Sequence, residues 1–418
     1  MENTLLIIGN GFDLQSGLAS RYEDFFIWLK ADCKKRNDNF WSKLFTKKIT
    51  GDIKWVDVES EILNTLMENL SIYFDDLKRP IGWGNYVVFN EKIDEVFFKY
   101  LKSRGHKTYL EKEIKEGKAP SDKFIKYYYK NSSCLQNWYL EELKKFEIQF
   151  IEYLEEILKT TKKEHMTKES HNNVEENYFT NCYKLISEFI QRPKHGISSE
   201  LRIYDTKTVY EVAVNRNNSL ILNNGQSNNI KVPQTDILSF NYTSPLFDDK
   251  VNKLMGIRNI RNVHGDLENR NIIFGVDTTA KDLPRELNIF TKTYRKMLNK
   301  AQLNSIKTTI LNRDINIIKV YGHSLGKADY SYFQSIFDFY NLYGDSGGDN
   351  KGYIQLQFYF SVYNGTTYEK CAATTTENVH NLITSYGNTL DNKDKGKNLL
   401  HKLLLENRLH IIIWDKTD

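Results

Sequence analysis

The chain has 418 residues, 58 of them Lys or Arg and 54 Asp or Glu, for a net charge of +4. That length suffices for one large domain or two ordinary ones with a substantial core, while so mild a charge excess gives no electrostatic case for nucleic acid or a membrane surface. The four cysteines, Cys33, Cys134, Cys182 and Cys371, are scattered without a CxxC pair, which excludes a zinc ribbon or a disulfide framework as a reading and fits a reducing cytoplasm.

The apolar residues begin at once with no basic leader, and no uninterrupted apolar stretch reaches about 18 residues, so neither a signal peptide nor a spanning helix is expected. Leu5–Ile8 is an unbroken aliphatic run closed by glycines, the pattern of a strand buried on both faces of a parallel sheet. Similar runs at Ile237–Phe240, Ile272–Phe274, Ile315–Val320, Ile354–Phe360 and His410–Trp414 read as further strands. Between Tyr22 and Asn229 the pattern turns helical: Tyr139, Leu143, Phe146, Phe150, Leu154 and Ile157 step by three or four along one face. The polar tracts Lys159–Asn173 and Asn215–Gln226 read as surface loops. An α/β core is therefore expected from residues 1–30 and 230–418, with residues 31–229 as a mainly helical insertion.

Four strand ends carry candidate chemistry. Gly9, Asn10 and Gly11 close the first strand with a Gly-x-Gly turn, which can bring backbone N–H groups close to an anion such as a pyrophosphate. The third glycine of a dinucleotide fingerprint is missing, because Leu14 stands there, and a tight turn with Asp13 starting a helix is the competing explanation. In DILSFNYT, Asn241 and Thr243 follow a strand whose C-terminal end faces the ligand crevice of a parallel sheet; Asn241 as a simple cap of the strand end is the alternative. In NVHGDL, His264 stands at another strand end and is suited to proton transfer near neutrality, or to a structural hydrogen bond.

The fourth stretch, IIKVYGHSLGKAD, places Gly322, His323, Ser324 and Gly326 after a strand and matches the GxSxG turn of α/β hydrolases. A serine hydrolase would use Ser324 with Asp391 and with His401 or His410, an available chain order. Against it, Lys327 and Asp329 occupy a helix start where hydrolases pack small residues, and GNGFD and SFNYT are left without a task.

Taken in order, GNGFD, SFNYT, VHGD and GHSLGxxD resemble the bacteriophage abortive-infection AbiH family, and the likeness extends from LLIIGNGFDLQSGLASRYEDF through WVDVE to YGHSLGKADYSYF. That pattern is in turn similar to the sirtuin-like NAD-binding fold, which implies a Rossmann-like, mostly parallel sheet. On this resemblance Gly9, Asn10 and Gly11 cradle dinucleotide phosphates, and Phe12 and Asp13 lie near a ribose. Asn241 then holds a water or the ribose, His264 acts as base on ribose hydroxyls, and Gly322, His323 and Ser324 meet the phosphate or adenosine side. Thr243 stands where sirtuins carry the Asp that reads the nicotinamide amide, and Asp13 where they carry a Ser, so a different nucleotide is an alternative.

The resemblance implies an antiphage protein that binds NAD or a related nucleotide and hydrolyses its N-glycosidic bond, with NAD as substrate or ligand and no cofactor required. Cleavage of that bond needs a stabilised oxocarbenium-like centre and a placed water. A non-enzymatic nucleotide-binding sensor or scaffold, meeting a phage trigger or partner protein through the helical insertion, is the second expectation. Asp13, Asp57 and Glu59 are weighed as metal ligands and set aside, because carboxylates at i and i+2 do not share a helix face. No metal, membrane or nucleic-acid partner is expected, and a homo-oligomer is compatible with the sequence.

Overall fold

The computed structural model describes residues 2–32, 39–48, 57–70, 132–163, 178–191, 233–245, 252, 255–276, 283–299, 309–344, 354–363 and 365–414. In chain order the elements are β1 (Asn3–Ile8), α1 (Asn10–Gln15), α2 (Tyr22–Ala31), α3 (Phe40–Lys48), α4 (Val58–Leu70), α5 (Ser132–Lys163), α6 (Tyr178–Gln191), β2 (Thr235–Ser239), β3 (Ile257–Asn262), α7 (Lys292–Leu298), β4 (Ile315–Tyr321), α8 (Tyr330–Phe339), β5 (Gln355–Phe360), α9 (Tyr368–Gly387), α10 (Lys393–Leu405) and β6 (Leu409–Ile413). They divide into two compact units: Met1–Ser20, Ile157–Asn269 and Ala301–Asp418 form the first, and Arg21–Glu156 with Arg270–Lys300 the second.

The first unit is built on a six-stranded sheet in the order β3-β2-β1-β4-β5-β6, every neighbouring pair parallel. This is a Rossmann-like α/β sheet: the chain leaves β1 for β2 and β3 on one side, then crosses to β4, β5 and β6 on the other. The switch point therefore lies between β1 and β4.

Parallel sheets survive only when both faces are covered, and β1 shows how the sequence provides for that. Leu5 and Ile7 belong to one apolar core with Phe333, Phe337, Val379 and Leu399 of α8, α9 and α10. Leu6 and Ile8 belong to the opposite core with Phe12 of α1 and Tyr178, Ile186 and Phe189 of α6. All four aliphatic side chains are fully buried, each worth about 1.5–3 kcal/mol.

Five of the six apolar runs form strands within a residue or two of the expected limits. Ile272–Phe274 is buried but is not a strand; the Phe274 N–H donates to the Glu147 carboxylate at 2.7 Å, so a side chain takes the place of a ladder partner. The strand that the apolar pattern misses is β3, IRNIRN, at the edge of the sheet.

In the second unit the face of α5 marked by Tyr139, Leu143, Phe146, Phe150 and Leu154 is buried. Phe146 and Phe150 pack with Phe25 of α2 and with Phe274 at ring separations of 4.9–5.4 Å. α5 runs to Lys163, so the start of the Lys159–Asn173 tract is helix rather than loop; residues 164–173, the Asn215–Gln226 tract and Trp55 lie outside the described residues.

Candidate functional site

The end of β1 is joined to the end of β4 by backbone. The Gly9 N–H donates to the Tyr321 carbonyl at 3.0 Å and the Gly11 N–H to the Gly322 carbonyl at 2.8 Å. A Cβ on Gly11 would meet the Gly322 Cα at 2.7 Å, and one on Gly322, whose φ is +69°, would meet the Phe12 nitrogen at 2.4 Å. Two of the amide donors foreseen for a phosphate are thus engaged inside the chain, and the glycines serve a backbone-to-backbone approach that no side chain permits.

The fourth residue of α1, Asp13, is 2 % exposed and sits at the hub of a polar group. The Asn241 Nδ2 donates to its Oδ1 at 2.9 Å, the Thr243 hydroxyl meets its Oδ2 at 2.5 Å, and the Tyr178 hydroxyl lies 3.0 Å from Oδ1 and 3.1 Å from the Thr243 Oγ1. Burial pushes the Asp13 carboxyl up to about 7, outweighing the hydrogen bonds from Thr243, Tyr178 and Asn241 that favour its charged form. The Oδ1 of Asn241 is buried and has no hydrogen-bond partner among the described residues. A buried acceptor left in this way calls for a donor from water or a ligand.

The turn after β2 is held from β3. The Asn262 Nδ2 donates to the carbonyls of Asn241 and Thr243, both at 2.8 Å, and its Oδ1 accepts from Ser244 at 2.5 Å. Helix α6 covers the group from the other side: Asn181 donates to the Ser16 carbonyl at 3.2 Å, and the buried Lys319 of β4 donates to the Phe189 carbonyl in the last turn of α6. A cation there satisfies a helix C-terminus. Burial pushes the neighbouring Cys182 thiol up to about 12, so it is no nucleophile near neutral pH.

His264 belongs to a second group, on the face of the sheet that Phe240 and Val263 share with α8. Its Nε2 is 2.8 Å from the Asp329 Oδ1, and the His323 Nε2 is 3.3 Å from the Asp329 Oδ2. The Phe240 ring lies against both imidazoles, 4.4 Å from His323 and 5.7 Å from His264. The structure thus joins Asp13 with Asn241 and Thr243, and His264 with His323, as two groups at the same end of the sheet. Asn10 is exposed and accepts from the Ser20 hydroxyl at 2.6 Å, while Phe12 is fully buried in the core beneath Asp13.

Ser324 is exposed, and the histidine beside it has both ring nitrogens engaged: His323 Nδ1 accepts from the Leu325 N–H at 2.9 Å and Nε2 faces Asp329. Of the other candidate bases, His401 is exposed on α10, and His410 lies two strands from β4 with its Nε2 3.0 Å from the Asn407 carbonyl. Neither geometry offers Ser324 a general base.

The model of the family described as bacteriophage abortive infection AbiH matches residues 5–123 and 95–343. The chain belongs to this family. Membership supports an antiphage, abortive-infection role. No curated protein and no solved structure matches the chain.

Both polar groups of this AbiH protein fall within the matched residues, whereas β5, α9, α10 and β6 lie beyond them. The sequence motifs led to Asp13, Asn241, Thr243, His264 and His323. They did not single out Tyr178, Asn262, Lys319 or Asp329. Asp329 was legible as the last letter of GHSLGxxD, and Asn262 as the first of NVHGDL; Tyr178 and Lys319 carried no local signal.

Among the described residues no group of three His, Cys, Asp or Glu side chains is placed to hold a metal. Asp57 instead caps α4, accepting from the Ser60 N–H at 3.0 Å, and Glu59 pairs with Lys292. No described helix is long and apolar enough to cross a membrane.

Proposed function

We propose that the first unit of this AbiH protein binds a nucleotide, NAD or a related one, at the C-terminal end of its sheet and hydrolyses the N-glycosidic bond, halting growth of the infected cell. The observation that carries the reading is the Asp13–Asn241 pair, drawn together from positions 228 residues apart, with a buried amide oxygen left to accept from a ligand. Open parallel sheets bind ligands outside the carboxyl ends of their strands at the switch point, and Asp13 follows β1 at that point. The likeness of the motifs to sirtuin-like proteins adds the nucleotide. In this reading Asn241 and Asp13, side by side at the strand ends, meet the nucleotide at its glycosidic bond and place the attacking water.

The test is a mass-spectrometric nucleotide profile of cells carrying wild type or Asn241→Ala, sampled through phage infection. Loss of a nucleotide with release of its base in wild type alone is the expected result. Steady nucleotide pools with protection intact in both strains would overturn the reading.

A non-enzymatic sensor is the second reading, and one observation favours it: the Asp13 carboxyl oxygens already have partners in Asn241, Thr243 and Tyr178. Under it, purified protein binds nucleotide without turnover, and Asn241→Ala retains protection. The trigger from the phage would then be met elsewhere on the chain.

A further inference from the structure

The hydroxyls and carboxyl around Asp13 form a closed ring whose protons can be counted. Its three oxygen-to-oxygen contacts are Asp13 Oδ2 to Thr243 at 2.5 Å, Thr243 to Tyr178 at 3.1 Å, and Tyr178 to Asp13 Oδ1 at 3.0 Å. Thr243 and Tyr178 bring one proton each, so with Asp13 ionised the Tyr178 hydrogen is shared between Asp13 Oδ1 and Thr243 Oγ1, and the ring has room for one more proton. A proton on Asp13 Oδ2 completes the ring: Asp13 donates to Thr243, Thr243 to Tyr178, and Tyr178 to Asp13 Oδ1, with the Asn241 Nδ2 donating to the same Oδ1. The group thus accommodates Asp13 as a neutral acid, beside the Oδ1 of Asn241, a buried acceptor with no partner among the described residues.

We propose that Asp13 is a stored proton donor for the departing base, and that the substrate class of this site is an adenine nucleoside or nucleotide rather than a pyridinium nucleotide such as NAD. The inference rests on the N-glycosidic reading above and narrows its substrate. Nicotinamide leaves NAD as a neutral molecule and needs no proton. Adenine leaves its sugar as an anion unless a ring nitrogen is protonated, so a neutral carboxylic acid matches this leaving group. The N7 edge of adenine presents an acceptor beside an exocyclic N–H donor, complementary to an Asp13 O–H beside the Asn241 Oδ1; guanine presents two acceptors there and does not match.

The step balances without a further reactant. The C1′–N9 bond breaks with its electron pair going to the base, while the Asp13 proton turns from Thr243 to N7. Water adds to C1′ and returns one proton to the Asp13 carboxylate, leaving free adenine and the sugar hydroxyl. Tyr178 and Thr243 are positioning residues that hold the acid proton until the base arrives. The titratable groups facing Asp13 among the described residues are Tyr178 and Cys182 of α6, both pushed well above neutrality by burial, so Asp13 alone changes charge there near neutral pH.

Two measurements on the whole chain test this. Free bases are quantified in cells carrying wild type or Asp13→Asn through phage infection. Adenine is expected to accumulate in wild type with guanine and nicotinamide level, and its release to fall about 100-fold in Asp13→Asn. A rise of nicotinamide in place of adenine overturns the substrate class and leaves the glycosidic reading standing; no base released while protection persists overturns that reading and this proposal with it.

Difference infrared spectra of purified wild type against Asp13→Asn at about pH 6 report the acid directly. A protonated carboxyl band lost in the variant is expected, and its absence from wild type overturns the stored proton whatever the turnover. Should Asp13→Asn fail to fold, Tyr178→Phe is expected to shift the same band to higher frequency by removing the hydrogen bond to Oδ1, and an unshifted band overturns the ring.

Discussion

Asp13 ties stability to pH through a single side chain. Its ordinary pKa of 3.8 is raised to about 7 in the fold, so between those values the folded protein binds more protons than the unfolded chain. Stability contributed by this group is fully present at low pH and is lost as pH rises through about 7, a swing on the order of 4 kcal/mol. Thermal melts of wild type are expected to fall relative to Asp13→Asn as pH is raised from about 5 to about 7.5; parallel pH profiles would mean that Asp13 is ionised throughout. Gly9 tests a different constraint at the same scale. A Cβ there would lie 2.6 Å from both the Gly322 carbonyl oxygen and the His323 Cα. Gly9→Ala is expected to lower stability by about 1–3 kcal/mol or more, read as a drop in denaturation midpoint, because backbone on both sides must move.

At the scale of elements, α6 is tied to the sheet by polar contacts at both ends, Tyr178 at its start and the Phe189 carbonyl near its finish. Lys319→Met leaves that carbonyl without its buried cation and is expected to cost about 1–3 kcal/mol, with amide exchange rising in α6 before it rises in β1 or β4. Uniform loss of protection across these elements would show that Lys319 serves the whole core rather than this helix. In the second unit, Arg295 donates to both oxygens of the buried Glu147 at 2.5 and 2.7 Å. Arg295→Ala strands that carboxylate and is expected to cost about 3–5 kcal/mol by chemical denaturation, more than replacement of an exposed cation. The elements also explain what was legible beforehand. Strands buried on both faces advertise themselves as aliphatic runs, which is why β1, β2, β4 and β5 could be read directly, and the edge strand β6 is legible because it too is an aliphatic run, LHIII. The edge strand β3 does not, because its polar residues face named partners: Arg258 and Asn259 reach Asp236 of β2, and Asn262 holds the turn carrying Asn241. Tyr178 and Lys319 were invisible for a related reason, since each acts on an atom more than 60 residues away and no local period marks it.

At the scale of the molecule, the candidate site draws on β1, β2, β3, β4 and α6, and the strand order decides their meeting. Residues at the ends of β1 and β2 became candidates because GNGFD and SFNYT close strands that this order makes neighbours. The split between that Asp13 group and the Asp329 group of His264 and His323, after β3 and β4, depends on side-chain alternation past the strand ends, which motif spacing does not encode. The Gly11 to Gly322 crossing has a consequence for synthesis. The turn at the start of the chain acquires its shape only against a carbonyl that emerges from the ribosome some 310 residues later, at roughly 5–20 residues per second. Until then the nascent protein holds the letters of its site without the site itself. Fragments released early by stalled or abandoned ribosomes are expected to be inert toward their own cell.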